Sequence, residues 1–234
     1  MRPGAARERS GANLITALLL LSSAFALIAL TITGTVKSAL SSEPANGDHR
    51  FIGHPRDRFP LTVYAEPAPS KGMDSAIASA VERWNRVFEQ VFHQAAFKWT
   101  DTKARANILL QFVKVQNVNG EMGEAVIDAD HRGVIRLPVK INLIPPRAHG
   151  STDVCQVLFD VVAHELGHAL GLPHSTKPNS IMCCEPHTVD LADPVTRAAY
   201  IEARRHPDLN SVAPDLAAYY SNFWRTIGLG SRSN

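Results

Sequence analysis

The run His164-Glu165-Leu166-Gly167-His168, continued by Gly171, Pro173 and His174, has the spacing H-E-x-x-H-x-x-G-x-x-H and dictates more of the local fold than any other stretch. An α-helix turns once in about 3.6 residues, so His164 and His168, four apart, project from one face and can share a metal ion. Glu165 stands about 100° round the same helix, beside that ion rather than on it. A continuous helix would carry His174 roughly 15 Å beyond His164 and onto another face, against a zinc–nitrogen bond of about 2 Å. The helix must therefore stop first. Gly171 tolerates the left-handed conformation of a helix end and Pro173 cannot extend the helix, so the chain can turn back and present His174 as a third ligand. Three neutral imidazoles leave the fourth zinc position to water, as in catalytic sites and unlike closed structural ones. A His pair four apart is common on helices; the five fixed positions together are not, and they predict one catalytic Zn2+.

Beyond the motif come Ser175 and then Ser180-Ile181-Met182. With these residues the segment resembles the metzincin clan of zinc endopeptidases, most nearly its matrixin branch. The resemblance is specific over residues 151–182 and weaker over the rest of the region from residue 59 onward. It implies an α+β fold: a mixed twisted sheet packed on helices, with an active-site helix and a mainly helical C-terminal subdomain. It also implies that Met182 is the Met-turn residue, an apolar floor under the imidazoles and not a ligand; a plain core methionine is nearly the same physical statement. Cys183 and Cys184 stand where the matrixin pattern has other residues, which leaves the adjoining specificity wall open. The matrixin segment that carries structural zinc and calcium ligands has no counterpart, so calcium is unsupported. Asp128, Asp130 and His131 read as a solvated turn.

Residues 14–36 carry no charge and are long enough to cross a hydrocarbon layer of about 30 Å. Arg2, Arg7 and Arg9 precede them and only Lys37 follows closely, which places the N-terminus in the cytoplasm and the remainder across the membrane. Residues 1–37 are thus a basic tip with a transmembrane anchor, or a signal segment whose cleavage would make the protein secreted. Residues 38–58, interrupted by Pro44, Gly47, Gly53 and Pro55, read as a flexible linker, and 59–234 as the catalytic domain. The linker lacks cysteine, so the cysteine-switch latency that the family resemblance would imply is missing. A net charge of +2 with no basic stripe argues against nucleic acid as a partner, and the oligomeric state is open.

Within the domain, Leu61–Tyr64 alternates as a short strand. Ile77, Ala80, Val81, Trp84, Val87, Phe88, Val91 and Phe92 form one apolar helical stripe over about 75–93, capped by Asp74. Residues 106–113 are a strand buried on both faces, and Gly123–Ile127 and Val134–Leu143 are two more. Extended substrate is expected to add to a free sheet edge. Pro138 points to Val134–Leu143 as that edge, whereas the family resemblance points to Gly123–Ile127. Ser151 or Thr152 caps the active-site helix, and Asp160, four before His164, is a solvated or capping group or a hydrogen-bond acceptor for a ligand histidine. Helices follow near 194–205 and 213–227, the latter with Asp215 in its first turn and Tyr219, Tyr220, Phe223 and Trp224 packed inward.

The three cysteines fit an oxidising compartment, and a bridge from Cys155 to the Cys183/Cys184 pair would leave one odd thiol. A second metal role for Cys183, Cys184 and His187 is a minor alternative. Taken together, the sequence predicts a zinc endopeptidase that cleaves extracytoplasmic peptides or proteins, with His164, His168 and His174 on the metal and Glu165 as general base and acid. Its rival is a catalytically silent zinc-holding domain on the cell surface, against which Glu165 argues, because a scaffold has no use for that acid.

Overall fold

In the computed structural model, residues 51–114, 121–148, 150, 153–184, 190, 192–205 and 209–230 are described. Five strands form one mixed sheet: β1 (Leu61–Ala65), β2 (Phe97–Trp99), β3 (Ile108–Phe112), β4 (Gly123–Val126) and β5 (Val139–Leu143), in the spatial order β2-β1-β3-β5-β4. All neighbours run parallel except β4, which lies antiparallel to β5 at the edge. Of the two candidate strands, the Gly123 strand is thus the one at an edge, β2 forming the other edge of the sheet. The other candidate is interior, and only Val139–Leu143 of it forms ladder, because Pro138 has no N–H to give; Val134 and Ile135 instead bridge to Gly53 and Ala129.

The apolar stripe is the helix α1 (Lys71–Phe92), and it buries Met73, Ala76, Ile77, Ala80, Val81, Trp84, Val87 and Phe88. Its cap is Ser70 and not Asp74: the Ser70 hydroxyl accepts from Met73 N, while Asp74 reaches back to accept from Ala68 N. β2, too short to show a period, is clamped by one side chain. Asn85 of α1 accepts from Phe97 N at 2.8 Å and donates to Phe97 O at 3.1 Å. The second helix, α2 (Val154–Ala169), packs on α1, β4 and β5. Its N-cap is Asp153, whose carboxylate accepts from Cys155 N and Gln156 N; Ser151 and Thr152 lie outside the described residues. Trp84, fully buried, donates its indole N–H to Ala163 O of α2 at 2.8 Å, which pins the two helices together. Two more helices, α3 (Pro194–Arg205) and α4 (Ala213–Gly230), complete the C-terminal part. From α4, Tyr220 and Phe223 are buried while Tyr219 and Trp224 pack half-buried against the core.

The packed unit does not begin at Phe59. Residues 51–58, read from sequence as the end of a linker, form a strap along the domain. Gly53 N donates to Gly133 O, Ile135 N donates to Gly53 O, Ile52 N donates to the Tyr219 hydroxyl, and the Trp224 indole donates to His54 O. Two apolar residues, Phe51 and Ile52, were too few to signal this, and the partners are more than 75 residues away. Residues 1–50, including the apolar run 14–36, lie outside the described residues; among those described, no helix is long and apolar enough to cross a membrane.

His54 is fully buried, and its ring chemistry is determined by its neighbours. The Arg58 guanidinium, which can only donate, faces Nδ1 at 3.4 Å, so Nε2 carries the hydrogen and donates to Ala169 O at 2.8 Å. Burial above all, with the Arg58 charge adding to it and the Ala169 bond opposing, pushes its pKa down to about 4 from 6.5. Because the folded value is the lower, the unfolded chain binds the extra proton, and stability falls as pH drops from 6.5 towards 4. A gap of 2.5 units at 1.36 kcal/mol each makes this about 3 kcal/mol. Urea midpoints at pH 7 and pH 4 should therefore diverge more for the natural protein than for His54→Gln. Equal divergence would refute the assignment.

Candidate metal centre

The end of α2 is built so that the third histidine can return. Gly171, at φ 93°, closes the helix while its N–H donates to His168 O at 2.7 Å and Leu172 N donates to Gly167 O at 3.0 Å, a Schellman pair. No side chain fits at 171. A Cβ there would collide with Ile52 O of the strap. Beyond the turn, Ser175 N donates to Met182 O at 2.8 Å and Ser175 bridges Cys183, which folds residues 175–183 back beneath the helix.

Three imidazoles then converge. His168 Nε2 stands 3.1 Å from both His164 Nε2 and His174 Nε2. The far nitrogens of two of them are committed: His164 Nδ1 lies 2.7 Å from Ile181 O and His168 Nδ1 lies 2.8 Å from Leu172 O. A carbonyl can only accept, so both Nδ1 atoms carry hydrogen and both Nε2 atoms present lone pairs to each other. Facing lone pairs repel unless a cation sits between them. Nitrogens around one zinc at bond lengths of about 2.0–2.1 Å stand roughly 3.3 Å apart in tetrahedral geometry, close to the spacing here. Burial holds the His168 pKa below its ordinary value, which keeps it in the neutral, ligating form. These three residues could thus hold a metal ion, and the donor set fits zinc.

Glu165 is 7% exposed on the flank of the site, and its Oε2 accepts from Ala125 N of β4 at 2.7 Å. Burial pushes its pKa up to about 7; the Ala125 N–H opposes this, and the nearby Glu121 and Glu124 add to it. A bound dication acts in the lowering direction. Met182, 2% exposed, packs under Gly167 so closely that a Cβ at 167 would overlap its sulfur.

Other candidates meet partners of their own. Asp160 accepts from Gln156 Nε2 one turn back at 3.1 Å. Asp130 is the turn residue expected: its Oδ1 accepts from Arg132 N and Val134 N, and the Val134 bond foremost holds its pKa low. Cys155 does not bridge to the pair. Cys183 and Cys184 are bonded to each other, and Cys155 is a free, half-buried thiol facing Gly72 of α1. Met182, which precedes the pair, packs under Gly167, about 18 Å along the helix axis from Cys155, whereas a disulfide needs Cα atoms within about 7 Å. His187 lies outside the described residues.

Two further groups at this end were not legible in the motif. The carbonyls of Ala169, the last residue of α2, and of Leu170, which caps it, have no helical partner and are buried, yet both are satisfied: Ala169 O by His54 and Leu170 O by the Tyr220 hydroxyl at 2.7 Å. A family model described as matrixin matches residues 54–191, more than half of the chain.

Proposed function

Since the chain belongs to the matrixin family of zinc-dependent metalloproteases, we propose that it is a working endopeptidase whose Glu165 moves the proton and whose His164, His168 and His174 hold the zinc. The observation that carries this reading is the convergence of three Nε2 atoms beside a buried carboxylate. When bound, zinc lowers the pKa of water towards neutrality and polarises the scissile carbonyl. Glu165, tied by one oxygen to Ala125 N, has its other oxygen to take the proton from the attacking water. It then hands that proton to the leaving amine nitrogen as the tetrahedral intermediate collapses, so one carboxylate serves as base and then as acid. His164 and His168 are kept in the correct tautomer by Ile181 O and Leu172 O. Met182 is proposed as the apolar floor beneath them.

The edge strand β4 lies next to Glu165 and provides the place for an extended peptide to pair. The substrate is therefore a peptide or an unfolded stretch of protein. With residues 14–36 read as an anchor or a cleaved signal, that substrate is extracytoplasmic. The test uses the purified full-length chain: one zinc per molecule, and cleavage of an unfolded protein that stops on chelation and returns with zinc. One bound zinc without any cleavage would favour the silent binding domain and overturn the enzymatic reading.

A further inference from the structure

The strap over residues 51–58 meets the end of the metal-carrying helix in two places: His54 reaches Ala169 O, and the Ile52–Gly53 backbone lies against Gly171. We propose that His54 is a positioning residue for the zinc site. It acts by holding the C-terminal turn of α2 where His168 and His174 can meet His164. This inference rests on the zinc reading given above.

The argument runs through a single turn of backbone. His168 bears a metal-facing Nε2, and its carbonyl closes the helix by accepting from Gly171 N. The next carbonyl, at Ala169, accepts from His54 Nε2, and the one after, at Leu170, accepts from Tyr220. Leu172 O, in turn, orients His168 through Nδ1. Every backbone carbonyl from 168 to 170 is thus occupied, and one of the three bonds comes from a side chain upstream of the first strand.

His54 is itself immobilised from three sides. Its ring meets Phe59 edge-on at 5.9 Å between centroids, its Nδ1 faces Arg58, and its carbonyl takes the Trp224 indole N–H at 2.9 Å. Arg58 is anchored by donating to Ile135 O at 2.7 Å, and Arg56 lies 4.3 Å over the Trp224 ring. A donor so constrained fixes the carbonyl it bonds. Loss of a group that orients ligands from outside the coordination sphere typically weakens a metal site by about 10–100-fold.

Two amides separate positioning from mere packing. Gln at 54 can place an N–H where Nε2 stands; Asn, one carbon shorter, cannot reach Ala169 O. In the full-length chain, zinc affinity is read by competition with a chromogenic chelator, with kcat and KM on an unfolded protein and near-ultraviolet circular dichroism as the check of fold. His54→Gln should hold zinc within about threefold of the natural protein, and His54→Asn about 10–100-fold more weakly, with kcat reduced and KM unchanged. A folded His54→Asn protein that holds zinc as tightly as the natural one overturns the inference, as does loss of zinc equal in both variants. Should His54→Asn not fold, Trp224→Phe decides: it keeps a ring under Arg56 but removes the donor to His54 O. Faster zinc dissociation supports the inference and unchanged dissociation overturns it. A natural protein that binds no zinc would refute the zinc reading itself, a result distinct from either.

Discussion

Glu165→Gln is expected to keep its zinc and lose about 10²–10⁴-fold in kcat, the usual contribution of a positioned general acid–base group. The fold should not object. The amide oxygen of glutamine can still accept from Ala125 N, so β4 stays where the carboxylate held it, and no imidazole loses a partner. What disappears is the capacity to take a proton from water and return it to the amine. The measurement is metal content beside kcat and KM for the purified variant: unchanged zinc, KM within a few-fold of the natural protein, and cleavage near the detection limit. Full cleavage by this variant would remove Glu165 from the chemistry.

His168→Ala should behave differently, losing zinc and activity together. His168 is the middle member of the three, with its Nε2 3.1 Å from each of the others. Structural zinc sites bind with about 10–16 kcal/mol spread over four ligands, so one imidazole is worth roughly 3 kcal/mol, on the order of 100-fold in affinity. Two remaining nitrogens cannot retain the ion against a chelator that leaves the natural protein loaded. Competition with such a chelator, together with activity at saturating zinc, checks this. Zinc held at natural affinity would mean that the ion sits elsewhere.

The two variants also show what the residue pattern made legible. His164, Glu165 and His168 could be placed from helical periodicity alone, because ligand spacing and helical pitch are both fixed lengths. Gly171 and Pro173 marked the stop for the same kind of reason, and the observed φ of 93° at Gly171 is that reason made concrete. The α1 stripe was equally plain, since eight apolar residues at three- and four-residue intervals admit few other structures. Where the chain closes on itself over long separations, periodicity carried no signal. β2 has three residues and depends on Asn85, and His54 depends on a carbonyl 115 residues away. Cys155 failed to pair for a reason the residue order hides, the length of helix between it and the turn that carries Cys183. The helix caps shifted from Asp74 to Ser70 and from Ser151 or Thr152 to Asp153, because several polar residues in a row can cap and only packing selects among them.

The edge strand was the one feature on which residue chemistry and family likeness disagreed. Pro138 weighed correctly against an interior ladder at its own position, but its effect was to delay the strand to Val139 rather than to expel it to the edge.

The strap also sets the path by which the fold bears tension. The chain upstream of Phe51 enters the packed unit through it, so a pull on that chain loads the bonds at Ile52, Gly53 and His54 before any strand of the sheet. One of those bonds ends at Ala169, next to a metal-facing histidine. The strap is thereby fastened to the last turn of α2, the turn that carries His168.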